Sequence, residues 1–281
     1  MTEKKSIWHQ LGNLDYRIIY LIVALLTALP LWIPMGTPMS VGDNVKNYAD
    51  TLRSFSGEVV LCSFSGYMTM LPDVEPIYLA TWKMLFEQDC KILVLLTHPD
   101  SPAVILEEFE KIDPLGQFGK VYGEDYMIFP YLDMTEAATI AFTDKIMAIF
   151  ERDFYGNSLD DADKLPMMQN IQSANQVDWY ISSSPEFSTR RYSVPFGVKL
   201  LCWGTGTGLL PFVPPFYDPE NGPVYGYVGG ASQGGELEKY SGHFGKGVKY
   251  NDAKNLALVG LFIFVLAGNI AFFAEKLGGG D

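Results

Sequence analysis

The sequence predicts an α/β fold, a Rossmann-like three-layer domain with a mostly parallel sheet, flanked by one N-terminal and one C-terminal transmembrane helix. Two uncharged apolar runs, residues 18–35 and 256–273, lie on either side of a long polar region. Within that region, short continuous apolar runs alternate with stretches of amphipathic helical spacing. Strands buried on both faces and separated by helices are typical of a parallel sheet with helices on both sides.

The two apolar runs fit membrane spans. Each has eighteen residues, with only Thr27 and Asn269 as clearly polar members. At about 1.5 Å per residue, such a helix covers about 27 Å, close to the hydrocarbon thickness of a bilayer. We therefore predict a tail (1–17), a span (18–35), the α/β domain (36–255), a second span (256–273) and a tail (274–281). Two spans would leave the whole domain on one face of the membrane.

Basic residues near the spans indicate an orientation. Lys4, Lys5 and Arg17 precede the first run, which favours a cytoplasmic N-terminus and an extracytoplasmic domain. Three lysines just before the second run, at positions 246, 249 and 254, favour the opposite. We predict the extracytoplasmic arrangement.

The first half of the domain predicts a βαβ unit. Asp43 can cap a helix that reaches about residue 55, and residues 58–63 form an apolar run ended by a Ser-Gly turn. Residues 73–89 then carry apolar side chains at helical spacing, and residues 91–97 form the next buried strand. A helix over 101–112 and a strand over 126–131 repeat this order.

The second half is less regular. Residues 134–154 fit either one amphipathic helix or a strand followed by a shorter helix. Strands are predicted at 177–182 and 198–203, with a short helix at 186–192 between them. Residues 155–176 and 209–222 are rich in Pro, Gly and Asp and predict surface loops.

Composition excludes several function classes. The net charge of −13 argues against binding to nucleic acid, because an acidic surface repels the phosphate backbone. Cys62, Cys90 and Cys202 form no CxxC pair, and the three histidines show no zinc-binding spacing. We expect neither a metal nor a cofactor.

Candidate ligand-binding residues follow the predicted strands, because ligands of open α/β sheets bind beyond the carboxyl ends of the strands. Small or polar residues there could line a pocket, or could simply cap helices and form turns. Of these, His98 is the one histidine well placed for acid–base chemistry, although a structural role as a cap or in a turn before Pro99 is the favoured explanation. The candidates are Ser65, Gly66, His98, Asp100, Ser184 and Thr205.

Two glycine-rich motifs fit known sites poorly. The stretch Gly204-Thr-Gly-Thr-Gly208 lacks the GxGxxG spacing, and the prolines after it predict a flexible loop. The stretch Gly230-Ala-Ser232-Gln-Gly234 matches the GxSxG pattern, but His243 lies too close in sequence to complete a catalytic triad. We predict a glycine-rich turn that opens a short helix.

In the second span, Asn269 needs a hydrogen-bond partner within the membrane, and Gly260 and Gly268 allow close approach of another helix. These three residues predict a helix interface, in a homo-oligomer or with other membrane subunits.

Several short motifs extend along the chain: residues 14–20 (LDYRIIY), 122–126 (YGEDY), 153–156 (DFYG), 165–168 (LPMM), 196–200 (FGVKL), Gly229-Gly230 and 268–270 (GNI). With these motifs the chain resembles an uncharacterised prokaryotic membrane-protein family that has an N-terminal span, a Rossmann-like α/β domain and a C-terminal span. The resemblance implies this architecture and a location in a prokaryotic cell membrane, and it implies no catalytic residues.

The function predicted from these observations is a non-catalytic binding or assembly module, a scaffold held in the bilayer by two spans. One alternative is a membrane-tethered enzyme that uses Ser65, His98 and Ser184 at the strand ends. The other is a solute-sensing domain that signals through the spans.

Overall fold

A computed structural model describes residues 14–183 and 196–278 of the chain. The chain divides into two compact units. We call Ser40–Gly247 the sheet unit, and we call Met1–Met39 with Val248–Asp281 the helix unit.

The elements of the described residues follow in chain order. The helices are α1 (Tyr16–Trp32), α2 (Asp43–Arg53), α3 (Leu71–Glu87), α4 (Ser101–Ile112), α5 (Pro114–Phe118), α6 (Glu136–Asp144), α7 (Gly206–Leu209), α8 (Gly230–Ser241) and α9 (Lys246–Gly278). The strands are β1 (Ser56–Phe64), β2 (Asp89–Leu96), β3 (Tyr126–Phe129), β4 (Trp179–Ser182), β5 (Lys199–Gly204) and β6 (Val224–Gly229).

The described strands form one six-stranded sheet in the order β3-β2-β1-β4-β5-β6, and every pairing is parallel. The chain first builds outward from β1 to β3, and then returns to the other side of β1 and builds from β4 to β6. This is the strand order of Rossmann folds. The predicted Rossmann-like α/β class is confirmed.

Both faces of the sheet are buried, because alternate residues of each strand point to opposite sides. One face places residues such as Val60 and Cys62 against α2, α3, α4 and α8, in a core that includes Tyr48 and Trp82. On the other face, Leu61 and its neighbours pack against α6 and a series of loops and 3₁₀ turns. The second outer layer is therefore mostly irregular.

The uncertain stretch 134–154 forms neither of the two predicted arrangements. Thr135 accepts a hydrogen bond from the backbone N–H of Ala138 and begins α6, which ends at Asp144 because Lys145 is extended. A 3₁₀ turn, Ile146–Ala148, follows. A side-chain cap and one extended residue limit this segment to nine helical residues.

The two glycine-rich motifs differ in outcome. The predicted flexible loop at 204–208 is wrong, because Thr205 caps the short helix α7, which ends before Pro211 is reached. The GxSxG stretch opens α8 directly after β6, with Gly230 at φ +76°, so the predicted turn and helix are confirmed. The helix predicted at 186–192 lies outside the described residues.

In the helix unit, one helix of the described chain is a clear candidate for a membrane span, not the two that were predicted. Residues 246–274 of α9 contain an 18-residue window with a mean hydropathy of 2.5, and only 11% of this window is buried. Helix α1 has 17 residues and ends at Trp32 because Ile33 precedes Pro34, a position that disfavours helical backbone. The first apolar helix is therefore shorter than the predicted span.

Two contacts join α1 and its exit to α9. The buried carboxylate of Asp252 accepts hydrogen bonds from the backbone N–H groups of Met35, Gly36 and Thr37 at 2.8 to 3.0 Å, and from the Thr37 hydroxyl. Further along, a Cβ at Gly260 would lie 2.5 Å from Cδ1 of Leu26. The two helices therefore run antiparallel and in close contact within this unit.

The other two residues of the predicted membrane interface are placed differently. Asn269 is exposed and donates from Nδ2 to the carbonyl of Val265 in its own helix, at 2.8 Å. A Cβ at Gly268 would meet no described atom within 4 Å. An interface formed by these residues with another chain stays a prediction.

Candidate functional site

The candidate site lies where the sheet reverses its direction of growth. Strands β1 and β4 are adjacent and parallel, yet the chain leaves β1 toward β2 and leaves β4 toward β5. Ligands of Rossmann-like sheets bind in the crevice beyond the carboxyl ends at this position. The residues that follow Phe64 and Ser182 therefore form the first place to look.

Three hydroxyl groups meet there. The Ser183 hydroxyl donates to Oγ of Ser65 at 3.0 Å, and Oγ of Ser65 lies 2.6 Å from Oγ1 of Thr97. These residues follow β4, β1 and β2, which are neighbours in the sheet, so one hydrogen-bonded row crosses three strand ends. We call Ser183, Ser65 and Thr97 the hydroxyl row. All three side chains are half-buried.

Buried residues beneath the row hold it in place. The backbone N–H of Ser183 donates to Oγ of Ser63 at 3.3 Å, and the indole N–H of Trp203 donates to the Ser63 carbonyl at 3.2 Å. Trp203 has no exposed surface and packs edge-on against Tyr78. The row is thus fixed to the aromatic core.

An aromatic pair flanks the row. The His98 ring lies against the Tyr67 ring, with 3.7 Å between ring centroids and 36° between the ring planes. Nδ1 of His98 accepts a hydrogen bond from the backbone N–H of Asp100 at 3.2 Å and lies 3.8 Å from its carboxylate. Among the described residues, Oγ of Ser65 bonds to the other two members of the row. The Nδ1 side of the imidazole is held in the turn by Asp100.

Gly66 has a structural role. Its backbone N–H donates to Oγ of Ser101, which in turn donates to the carbonyl of Phe64, both at 2.8 Å. A Cβ at this position would lie 2.6 Å from the Phe64 ring and 2.9 Å from Cβ of Val104. Only glycine fits between the strand end and α4, and its N–H is not open to a ligand.

The remaining sequence candidates lie apart from the row or outside the described chain. Oγ1 of Thr205 accepts from the N–H of Gly208 at 3.1 Å, so this residue acts as a helix cap. Ser184 falls just after the described segment ends at residue 183. Of the six candidates, Ser65 belongs to the row, and His98 and Asp100 flank it. Ser183 and Tyr67 were not among the candidates, and the structure alone places them at the site.

A second polar cluster lies between α3, α4 and the start of α9. The carboxylate of Glu75 pairs with Lys111 at 2.7 Å and with Lys246 at 2.8 Å. Burial opposes ionisation of Glu75, but the hydrogen bonds from the two lysines outweigh it and lower its pKa.

Glu108, on α4, differs from its neighbours. It is 1% exposed, and its buried Oε2 has no hydrogen-bond partner among the residues that the structure describes. Burial raises its pKa from 4.5 to about 8. The sequence contained a signal for this residue that we missed, since Glu108 falls on the same helical stripe as Val104, Ile105 and Ile112.

Among the residues that the structure describes, no group of three His, Cys, Asp or Glu side chains is arranged to hold a metal ion. All three cysteines are described, and each is buried and free. Burial raises the pKa of the Cys90 thiol to about 12 and raises those of Cys62 and Cys202 as well.

Comparison of the sequence and the fold with known protein families, with curated proteins and with solved structures finds no match.

Proposed function

We propose that this chain is a twice-anchored membrane protein whose sheet unit is a non-catalytic binding module. The hydroxyl row, where the sheet reverses its direction of growth, is the observation that supports the proposed binding function. Helices α1 and α9 support the proposed location in a membrane. We further propose an extracytoplasmic sheet unit and assembly into a homo-oligomer or a larger membrane complex.

Exposed apolar side chains support the membrane part. On α9, Phe262 is 64% exposed and Val265 is 60% exposed, and on α1 Leu21 is 61% exposed. The core helix of a soluble protein would bury such residues, whereas a lipid-facing helix leaves them on its surface. The same pattern on both helices supports two spans, although α1 is one residue shorter than the predicted run.

Aromatic and polar residues of α1 support its place in a membrane. Tyr16, Tyr20 and Trp32 are all more than half exposed, and they lie at the two ends of the helix. Tyr and Trp are enriched at both membrane–water interfaces. The Thr27 hydroxyl donates to the carbonyl of Val23 at 2.8 Å, so this polar group is satisfied within the helix, as lipid surroundings require.

The geometry of the hydroxyl row supports binding over catalysis. A serine nucleophile needs a base within hydrogen-bond reach. Within the described part of the chain, the hydrogen-bond partners of Oγ of Ser65 are two other hydroxyls, while Nδ1 of His98 bonds to the Asp100 backbone. Hydroxyl groups without a base can orient a polar ligand but do not become strong nucleophiles.

Native mass spectrometry of the full chain in mild detergent tests the binding function. We expect a co-purifying small molecule whose occupancy falls sharply in Ser65→Leu, because the leucine would fill the centre of the row. Ser56→Leu is the matched control, since Ser56 is exposed at the opposite end of the same strand. Equal occupancy in both folded variants would refute the site. Turnover of the molecule that falls about a hundredfold in His98→Ala would favour the enzyme alternative.

A further inference from the structure

The hydrogen-bonding capacity of the row restricts the chemistry of its ligand. Each hydroxyl has one proton to donate and two lone pairs to accept. Among the described atoms, the two bonds within the row use two of its three protons, so one donor and several acceptor positions remain for a ligand. A carboxylate, or a phosphate group in its fully ionised form, offers only acceptors and would find at most one donor there. A ligand with its own hydroxyl groups can both donate and accept.

The charges around the site also favour a neutral ligand over an anionic one. The described side chains of the site are Ser183, Ser65, Thr97, Tyr67, His98 and Asp100, and they include neither Lys nor Arg. The one carboxylate among them, Asp100, is about half exposed, and the whole chain carries a net charge of −13. This field repels an anionic ligand.

The aromatic pair supplies a flat apolar surface next to the row. Tyr67 comes two residues after Ser65, and His98 directly follows Thr97, so the two rings in contact flank the hydroxyls. Tyr67 keeps 37% of its surface exposed. The face of an aromatic ring is electron-rich and attracts the weakly positive C–H groups of a saturated ring. A ligand with hydroxyls on one edge and C–H groups on one face matches both features.

We infer that this site binds a neutral polyhydroxylated ligand, a sugar or polyol, with its hydroxyls on the row and a C–H face on Tyr67. The inference rests on the proposed binding function and names its ligand class.

Thermal shift measurements on the full chain test the class. The detergent must lack a sugar head group, because a maltoside would compete for the site. The panel holds glucose, galactose, mannose, N-acetylglucosamine and myo-inositol, with inorganic phosphate, glycine and acetate for comparison. We expect at least one sugar or polyol to raise the Tm, and none of the comparison compounds to do so.

Three variants assign the effect to the site. Ser65→Ala removes the central hydroxyl and Tyr67→Ala removes the apolar face. Each should lower the affinity for the compound that binds by about tenfold. Tyr131→Ala is the matched control, because Tyr131 also follows a strand end and is 41% exposed, and it should leave the affinity unchanged. A sugar whose binding is insensitive to both site variants would overturn the inference.

The outcomes separate this inference from the proposed function. If phosphate, glycine or acetate binds and Ser65→Ala abolishes that binding, the ligand class is wrong while the binding module stands. If no compound binds and no molecule co-purifies with the full chain, both fall.

Discussion

Replacement of the buried Glu108 by glutamine tests the electrostatics of the sheet unit most directly. The side chain is 1% exposed, Oε2 has no partner among the described residues, and burial raises its pKa from 4.5 to about 8. The charged groups that influence this carboxyl are Lys111, Glu75, Glu107 and Lys246. Burial, and after it Glu108, raises the pKa of Tyr78. Glu108→Gln keeps the shape and removes the titration.

The sign and size of the effect follow from linkage. Between pH 4.5 and pH 8 the folded state holds a proton on Glu108 that the unfolded state has lost, so stability falls as the pH rises. Each unit of pKa difference corresponds to about 1.4 kcal/mol. The native protein should therefore lose about 5 kcal/mol across this window through Glu108 alone, and the glutamine variant should not. From pH 5.5 to pH 7.5, the variant should gain about 3 kcal/mol relative to the native protein.

Urea unfolding of the full chain in mild detergent, followed by tryptophan fluorescence, measures this difference. Three tryptophans, at positions 82, 179 and 203, lie in the sheet unit. Glu75 does not obscure the result, because its pKa is lowered and its contribution is lost only at acid pH. Glu107→Gln is the control, since Glu107 is 54% exposed on the same helix and should change stability little with pH. Parallel stability curves for the native protein and Glu108→Gln over pH 5.5 to 7.5 would refute the reasoning.

Three further results are expected. Gly260→Leu should separate α1 from α9, because a Cβ at this position would lie 2.5 Å from Cδ1 of Leu26. The free energy of unfolding of the helix unit, measured in SDS, should fall by about 1 to 3 kcal/mol. Gly268→Leu is the control and should leave it unchanged, because a Cβ at Gly268 meets no described atom within 4 Å. Asp252→Asn replaces one acceptor oxygen by a donor, so hydrogen exchange at Met35 and Gly36 should speed up by at least tenfold, and unchanged exchange would contradict the role of the carboxylate. A protease added to intact cells should cut the loop at residues 155–164 if the sheet unit is extracytoplasmic; cleavage only after lysis would reverse the orientation.

Sequence reasoning succeeded where a local rule agrees with the fold. Helix α4 has its predicted bounds, because Pro102 favours its start and Asp113, with φ 49°, stops it. The buried strands were recognisable because both of their faces are apolar, which is typical of parallel sheets. The structure of the segment after Met134 was not predicted correctly, because a single threonine cap and tertiary packing determine where its helix begins and ends.

The candidate site, too, could be predicted only in part from the sequence. Parallel strands bring their carboxyl ends to one edge, so the sequence could place Ser65 and His98 near each other. It could not predict that Ser183 would bond to Ser65, because hydrophobic periodicity does not specify which strands are neighbours. That pairing depends on β4 lying next to β1, which became known only from the sheet order.

The burial of all three native thiols has a practical consequence. A cysteine reacts as its thiolate, and here burial both blocks access and raises the pKa of each thiol. Maleimide reagents should therefore leave the folded native chain unlabelled. A single cysteine introduced at an exposed position then becomes the only reactive thiol, and a membrane-impermeant label at that position can report accessibility in living cells without removal of any native residue.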